Sequence, residues 1–146
     1  MSKELKASRI ENGTVIDHLP GGTALKVVKA LGIRTDTPLI IAMNVDSVKS
    51  GRKDIVKIED RFLTKEETDR ISLIAPSATI NIIKGQKVTG KRQVLPPAEL
   101  FGLLSCPNRN CITNAERCQT HFTKAGSGTY ACRFCERRFS SEELGL

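Results

Sequence analysis

The chain contains few aromatic and histidine residues. Its 146 residues include five Phe, one Tyr, two His and no Trp, and Phe62 is the only aromatic residue among the first 97. Because sheets that recognise RNA stack bases on aromatic rings, this scarcity argues against an RNA-recognition sheet. With only His18 and His121 available as imidazole bases, no Ser/His/Asp or Cys/His nucleophile arrangement emerges. A metal-dependent or nucleophilic enzyme is therefore disfavoured.

The sequence also lacks long apolar segments. It has no run of about 18 apolar residues, the length a transmembrane helix needs. The polar N-terminal sequence MSKELKASRIENG has no apolar core of a signal peptide. We therefore expect a cytoplasmic protein with no membrane partner, in a compartment where thiols stay reduced.

Positive charge exceeds negative charge, but unevenly along the chain. The formal net charge is +7, of which +6 falls in residues 1–97 and +1 in residues 98–146. A basic protein invites a nucleic-acid hypothesis, and a zinc-ribbon nucleic-acid-binding protein stays as the alternative function. Because the C-terminal part, which would be the zinc ribbon, is nearly neutral, that alternative is less favoured, and we expect no nucleic-acid partner. Composition alone favours a solvated basic face for the lysines that flank the late strands: Lys53, Lys57, Lys87 and Lys91.

Four cysteines near the C-terminus have the spacing of a metal site. Cys106 and Cys111 form a C-x4-C pair, and Cys132 and Cys135 follow as C-x2-C after a gap of twenty residues. Two close pairs separated in this way can surround one tetrahedral zinc ion. Two disulfides are the weaker alternative, because a bridge across C-x2-C has poor geometry and nothing suggests export. Cys118 is interpreted as an ordinary free cysteine.

The expected role of the single Zn²⁺ is structural. A catalytic zinc keeps an open position for water, whereas four cysteines close the coordination shell. The spacing of Cys118 and His121 also resembles a ligand pair, but using His121 would leave one of the better-spaced cysteines without the metal. Residues 98–146 are too few to fold on a core alone, and metal binding can supply on the order of 10 kcal/mol. We expect these apolar residues to pack around the site: Leu100, Phe101, Leu103, Leu104, Phe122, Tyr130, Phe134 and Phe139.

Residues 1–91 show alternating strand and helix patterns. Apolar stripes at helical spacing predict two helices, one containing Ala24–Leu31 and the other beginning at a capping box, Thr64–Glu67. A polar hairpin loop is predicted at 46–53. The order, βαββαβ with an extra N-terminal strand, predicts a ferredoxin-like α+β sandwich. The predicted strands are Lys6–Ile10, Thr14–Leu19, Pro38–Met43, Asp54–Ile58, Ala78–Ile83 and Lys87–Lys91.

The predicted domain boundary follows a short, stiff linker at 92–97, which ends in two prolines. We therefore expect a first domain over 1–97, linker included, and a small β-rich, zinc-ribbon-like domain over 98–146. Gly85–Lys91 matches the start of a phosphate-binding loop, but Arg92 stands where Ser or Thr is needed and no helix follows. Asp17 and His18, adjacent on a strand, are expected to face opposite ways and not to form an acid–base pair.

Several segments resemble one known family. They are Gly13-Thr-Val-Ile-Asp-His18, Gly51-Arg-Lys-Asp-Ile-Val-Lys-Ile-Glu59, Ala75-Pro-Ser-Ala-Thr79, and Cys106-Pro-Asn-Arg-Asn-Cys-Ile112 with the later C-x2-C pair. Together and in this order they resemble the regulatory chain of aspartate carbamoyltransferase over nearly the whole sequence. Because the segments are independent, their agreement is more specific than any single motif.

The resemblance implies a non-catalytic allosteric subunit of an enzyme of pyrimidine biosynthesis. In that family the N-terminal domain binds nucleoside triphosphates (CTP, UTP and ATP), and the zinc domain docks on the catalytic chain. Two regulatory chains form a homodimer through their N-terminal domains. The whole assembly holds three such dimers and two catalytic trimers.

The resemblance also implies an effector site. Asp17 and Lys57 would lie near the ribose and base, and His18 and Lys91 near the phosphates. Gln86 stands where the family often has an aromatic residue near the base. The remaining lining positions implied by the family are Ala7, Ile10, Val15, Asn81, Ile83 and Val88.

Overall fold

A computed structural model of the chain describes residues 10–49 and 51–146. None of the helices in these two ranges is long and apolar enough to cross a membrane. The chain divides into two compact units between Leu95 and Pro96.

The N-terminal unit is a five-stranded antiparallel sheet with two helices. The strand order is β2-β3-β1-β4-β5, so the β1-α1-β2-β3-α2-β4 part has the ferredoxin-like arrangement and β5 extends the sheet beyond β4. The α+β class expected from the sequence is confirmed. The elements are β1 Gly13–Pro20, α1 Ala24–Ala30, β2 Leu39–Ser47, β3 Gly51–Glu59, α2 Lys65–Ile74, β4 Thr79–Lys84 and β5 Lys87–Gln93.

Two local predictions need correction in this unit. The predicted loop at 46–53 is wrong over most of its length, because β2 and β3 continue to pair as far as Ser47 and Gly51. The predicted linker begins too early, because β5 continues to Gln93, and the buried Val94 donates its N–H to Ala78. The predicted strand at 6–10 lies outside the described residues except for Ile10, which is not in a strand.

The helices pack against one face of the sheet. Val27 of α1 and Ile71 of α2 are fully buried in the same cluster as Ile16, Val56 and Ile80 of the sheet. The capping box at the start of α2 is confirmed: Thr64 accepts a hydrogen bond from the Glu67 N–H and donates its own N–H to the Glu67 carboxylate. The opposite face of the sheet is free of these helices.

Two β-bulges lie on either side of β3. In β1, Asp17 and His18 together face a single residue of β3, and in β2 the register shifts between Ala42 and Val45. His18 has a φ of 59°, the left-handed conformation that accompanies such an extra residue. The predicted alternation of Asp17 and His18 is therefore wrong: His18 Nδ1 lies 3.1 Å from the Oγ1 of Thr79, the residue paired with Asp17.

The C-terminal unit is a four-stranded antiparallel sheet in sequential order. Leu100, Leu104, Phe122, Tyr130 and Phe139 are buried, as expected. The expectation that Phe101 and Phe134 also pack inside is wrong, since they are 52% and 48% exposed. The elements are β6 Glu99–Phe101, α3 Ile112–Ala115, β7 His121–Gly126, β8 Thr129–Cys132 and β9 Arg138–Ser140.

Candidate metal centre and ligand pocket

The four paired cysteines meet in the C-terminal unit. Their sulfur atoms all lie within 4.8 Å of one another. The Sγ atoms of Cys106 and Cys135 are 3.7 Å apart, and those of Cys111 and Cys132 are 3.8 Å apart. All four thiols are free, and three of the four residues are buried. Four free sulfurs facing one point are a ligand set for a thiophilic metal ion.

Backbone hydrogen bonds shape the first cysteine pair. The Cys111 N–H donates to the carbonyl oxygen of Asn108 at 3.0 Å, which turns the chain back after Cys106. The Asn114 side chain then donates to the carbonyl oxygens of Cys106 and Asn108, at 2.9 and 2.7 Å. The loop is therefore held in place by amide groups around the two sulfurs.

A second tight turn presents the other pair at the end of β8. The Cys132 N–H donates to the Arg137 carbonyl oxygen, and the Glu136 N–H donates to the Cys132 carbonyl oxygen. Glu136 has a φ of 63°, the left-handed conformation that closes the turn. This turn places the Sγ atom of Cys135 3.7 Å from that of Cys106.

The thiols differ in acidity. Burial raises the pKa of the Cys106 thiol to about 12 and also raises the pKa of Cys132. Hydrogen bonding with Thr113 lowers the pKa of Cys111. Burial works to raise the pKa of Cys135, but hydrogen bonds from the Arg137 N–H and the Asn108 side chain outweigh it and bring the pKa to about 7. The positive charge of a metal is what would favour all four thiolates together, with release of protons.

Cys118 and His121 lie outside this cluster. Cys118 is exposed. The His121 Nε2 lies 3.2 Å from a Glu99 carboxylate oxygen, and its ring stacks on Phe101 with centroids 4.2 Å apart. The cluster is thus made of the four cysteines with the best spacing.

A cavity of about 300 Å³ opens on the N-terminal unit. Val15 of β1 pairs with Lys57 of β3 and with Asn81 of β4. Because the residues next to them in each strand are buried in the cluster under the helices, these three side chains and Asp17 lie on the opposite sheet face. The β4–β5 turn contributes Gln86, whose backbone N–H donates to the carbonyl oxygen of Glu11 at 2.8 Å. The wall thus combines one acidic, one basic and two amide side chains with apolar groups. The lining residues are Ile10, Val15, Asp17, Lys57, Asn81, Ile83, Gln86 and Val88.

Most residues of the predicted effector site lie in this cavity, and three do not. His18 lines a second cavity beyond the bulge. Lys91 is exposed and pairs in register with Asn81, which places it on the same face of the sheet. Ala7 lies outside the described residues. Gln86 lines the cavity, where the family pattern has an aromatic residue.

Asp17, a residue of the cavity wall, forms an ion pair that the sequence did not reveal. The Lys53 ammonium lies 3.0 Å from the Asp17 carboxylate, and the two side chains are 18% and 22% exposed. Lys57 is only 6% exposed. The expectation of a solvated basic face is therefore wrong for Lys53 and Lys57. Because alternate residues of a strand share one face, the four-residue spacing of Lys53 and Lys57 in β3 is the sequence signal that could have placed both lysines on the same face as the cavity.

Comparison with protein families gives two matches that together cover most of the chain. Residues 5–95 match the family described as aspartate carbamoyltransferase regulatory chain, allosteric domain. Residues 98–145 match the family described as aspartate carbamoyltransferase regulatory chain, metal binding domain. The first match contains the cavity and the second contains the cysteine cluster.

Individual relatives agree with both matches. A protein of Methanopyrus kandleri is 48% identical over 145 residues, covering 96% of this chain and 93% of the relative. One of Pyrococcus horikoshii is 47% identical over 146 residues, covering 97% and 96%. One of Korarchaeum cryptofilum is 49% identical over 150 residues, covering 99% and 96%. Each of the three is called an aspartate carbamoyltransferase regulatory chain.

Proposed function

The chain belongs to the family of aspartate carbamoyltransferase regulatory chains, and we propose that it is a non-catalytic subunit through which nucleotides modulate the catalytic trimers. It has an allosteric domain and a metal-binding domain. The observation that carries the proposal is the cavity over the open sheet face, lined by seven of the residues predicted for an effector site. The family assignment displaces the alternative of a nucleic-acid-binding zinc ribbon.

The proposed effectors are the nucleoside triphosphates CTP, UTP and ATP. Ile83 and Val88 offer apolar contact to a base, while Asn81 and Gln86 offer amide donors and acceptors. The Asp17 carboxylate can accept hydrogen bonds from ribose hydroxyls. Phosphates would lie toward His18 and Lys91, and Lys53, whose ammonium is 3.0 Å from the Asp17 carboxylate, would offset the negative charge of that carboxylate.

The proposed metal is zinc. Zn–S bonds of about 2.3 Å in a tetrahedron separate the sulfurs by about 3.8 Å. The separations of 3.7 and 3.8 Å for the pairs Cys106–Cys135 and Cys111–Cys132 fit this value. When bound, the ion would cross-link the loop after β6 to the turn after β8 and leave no open position for a water molecule.

The metal-binding domain is the proposed docking module for the catalytic chain. Ile112 follows Cys111 directly and is 50% exposed, and Phe134 lies between Cys132 and Cys135 and is 48% exposed. Large apolar side chains on loops fixed by a metal are suited to a protein interface. The zinc would therefore set the shape of the surface that contacts the catalytic trimer.

A regulatory homodimer would use the edge strand β2. The two edges of the five-stranded sheet are β2 and β5. Lys87, Lys91 and Arg92 make β5 a charged edge, which resists pairing. The β2 sequence LIIAMNVDS has no lysine or arginine and exposes Met43 by 38%. Within the part of the chain that the structure describes, β2 has a neighbouring strand on one side only, and its other side offers an edge to the same strand of a second copy.

Within the assembly, a nucleotide would act by binding one quaternary state more tightly than the other. The proposed compartment is the cytoplasm, where the four thiols stay reduced for the metal. Calorimetric titration of the zinc-loaded full chain with CTP, UTP and ATP tests the proposal, with Mg²⁺ present. We expect saturable binding with one class of site per chain. A chain that binds none of the three triphosphates would overturn the proposal.

A further inference from the structure

The β4–β5 turn is a two-residue loop, Gly85 and Gln86, between the paired residues Lys84 and Lys87. Both loop residues have a positive φ, 59° for Gly85 and 66° for Gln86. Two consecutive left-handed residues are characteristic of a type I′ hairpin turn, whose second position favours glycine. Glycine adopts this conformation without strain, whereas glutamine does not. Gln86 therefore occupies a position that turn stability alone would assign to glycine.

The segment before β1 holds this turn through two hydrogen bonds. The Gly85 backbone N–H donates to the side-chain Oδ1 of Asn12 at 3.1 Å. The Gln86 backbone N–H donates to the Glu11 carbonyl oxygen at 2.8 Å. Both N–H groups of the loop are thus paired within the protein. Of the two acceptors, only that of Asn12 belongs to a side chain, so this hydrogen bond depends on the residue type at position 12.

Asn12 is itself fixed at the end of β3. Its carbonyl oxygen accepts a hydrogen bond from the Asp60 N–H at 2.9 Å, directly after β3 ends. The next residue, Gly13, packs so closely that a Cβ atom there would lie 2.1 Å from the Ile58 carbonyl oxygen. Because β1 lies between β3 and β4 in the sheet, Asn12 joins the end of β3 to the β4–β5 turn across the start of β1.

This connection closes one end of the 300 Å³ cavity. Ile10, two residues before Asn12, is buried in the cavity wall. Gln86 and Val88 line the same cavity from the turn and from β5, and both are exposed. A ligand that enters the cavity would contact them. Because the turn is already held in place, little conformational freedom is lost when a base contacts Gln86.

We propose that Asn12 is a positioning residue of the nucleotide site, which holds the β4–β5 turn so that the Gln86 side-chain amide faces the base. Asn12 acts through Gly85 and Gln86 and does not contact the nucleotide. The amide of Gln86 can donate to a carbonyl group of a base or accept from an amino group, so the same side chain serves cytosine, uracil and adenine. The left-handed conformation of Gln86 costs stability and presents this amide to the ligand. The inference rests on the proposed nucleotide function.

Calorimetric titration of the zinc-loaded full chain with CTP tests the role of Asn12. Asn12→Ala removes the acceptor and is expected to weaken CTP binding about fivefold, the effect of losing one hydrogen bond. Asn12→Asp keeps an acceptor oxygen and is expected to bind CTP within about twofold of wild type. Thr89→Val is the matched control, because it removes another side-chain hydrogen bond of the same hairpin, to the Ile82 carbonyl oxygen. The control is expected to bind CTP like the wild-type chain.

Hydrogen exchange followed by NMR tests the contact between Asn12 and the turn without nucleotide. The Gly85 amide is expected to exchange about fivefold faster in Asn12→Ala than in wild type. In Asn12→Asp and Thr89→Val it is expected to exchange at the wild-type rate. An unchanged Gly85 exchange rate in Asn12→Ala would overturn the inference.

Gln86→Gly separates ligand contact from turn stability. Because glycine is favoured at this turn position, Tm is expected to equal or exceed that of wild type, while CTP binding weakens about fivefold. Since Asn12 acts through Gln86, adding Asn12→Ala to Gln86→Gly is expected to cause little further loss of affinity. Additive losses, or unchanged CTP binding in either single variant, would overturn the inference while the proposed function stands. A wild-type chain that binds no nucleotide would overturn the proposed function itself.

Discussion

The Asp54 carboxylate accepts a 2.9 Å hydrogen bond from the backbone N–H of Ala24, the first residue of α1. Thr23, the residue before the helix, makes no side-chain cap of its own, so Asp54 caps α1 from the neighbouring strand. It also accepts hydrogen bonds from the N–H groups of Gly22 and of Asn44 in the β2 bulge, at 2.9 and 2.8 Å. One fully buried side chain thus connects β3, α1 and β2 on the helix side of the sheet.

We expect Asp54→Asn to lower the free energy of unfolding by roughly 2–4 kcal/mol, because an amide nitrogen would face N–H donors that a carboxylate now satisfies. Denaturant unfolding of the full chain measures the change. Asp36→Asn, at an exposed pair with Arg34, is the control and is expected to change stability little. Equal stability of the two variants would contradict the role assigned to Asp54.

The same contacts predict a pH dependence. Burial alone would raise the pKa of Asp54, but hydrogen bonds from the N–H groups of Asn44, Ala24 and Gly22 outweigh it and hold the pKa below its ordinary value. A carboxyl group with a lowered folded-state pKa contributes stability above the unfolded-state pKa and loses it as the pH falls through the folded-state pKa. The stability difference between wild type and Asp54→Asn should therefore shrink below about pH 4.

The metal site predicts that Cys111→Ser abolishes association with the catalytic trimer. Removing one of the four ligands would weaken binding of the proposed metal, and with it the folding free energy that we expect the metal to supply to this small domain. Gel filtration of the chain mixed with catalytic trimer measures the association, and a strong chelator should have the same effect on the wild-type chain. Cys118→Ser, at the exposed free thiol, should associate normally. A stable complex that survives complete metal removal would sink the claim of a structural metal.

The cavity lined by Lys57 predicts how a variant at this residue changes nucleotide affinity. Lys57→Met keeps the buried methylene stem but removes the charge near the proposed ribose and base. We expect it to weaken CMP, CDP and CTP binding alike, each about tenfold. Calorimetry on the three nucleotides measures the pattern, with thermal unfolding as a check that the fold persists. A loss confined to CTP would move Lys57 to the phosphate end.

The β2 edge predicts a variant that prevents the homodimer. Met43→Lys places a charge on the exposed edge strand, which is the means by which natural sheets prevent pairing. Sedimentation of the isolated chain should shift from dimer to monomer at micromolar concentration. Val48→Lys is the control, since Val48 lies in the adjoining turn and is fully exposed. A dimer unaffected by Met43→Lys would place the contact elsewhere.

Features that depend on local pattern were predictable from the sequence. The spacing of the cysteines indicated the cluster, and the Thr64–Glu67 motif indicated the start of α2. The bulge at Asp17–His18 was not predictable, because it depends on the pairing of β1 with β3 rather than on the residues of β1 alone. Its consequence, a second cavity beside the first, was missed for the same reason.

Residue type alone also misled at the surface and in the cavity. Phe101 and Phe134 are apolar and were expected inside, yet a small domain lacks the interior to enclose every aromatic ring. Lys53 was expected in solvent, yet the Asp17 carboxylate compensates its burial. Both outcomes depend on partners that are distant in the sequence.

The most direct test of the central claim is aspartate saturation of a holoenzyme reconstituted from this zinc-loaded chain and its catalytic trimers, measured with and without CTP, UTP and ATP. If the chain is the regulatory subunit, at least one nucleotide will shift the saturation curve. The shift will require about tenfold more nucleotide with Lys57→Met and will disappear when the catalytic trimers are assayed alone. Identical curves with and without every nucleotide, in a holoenzyme shown to contain the chain, would contradict the account.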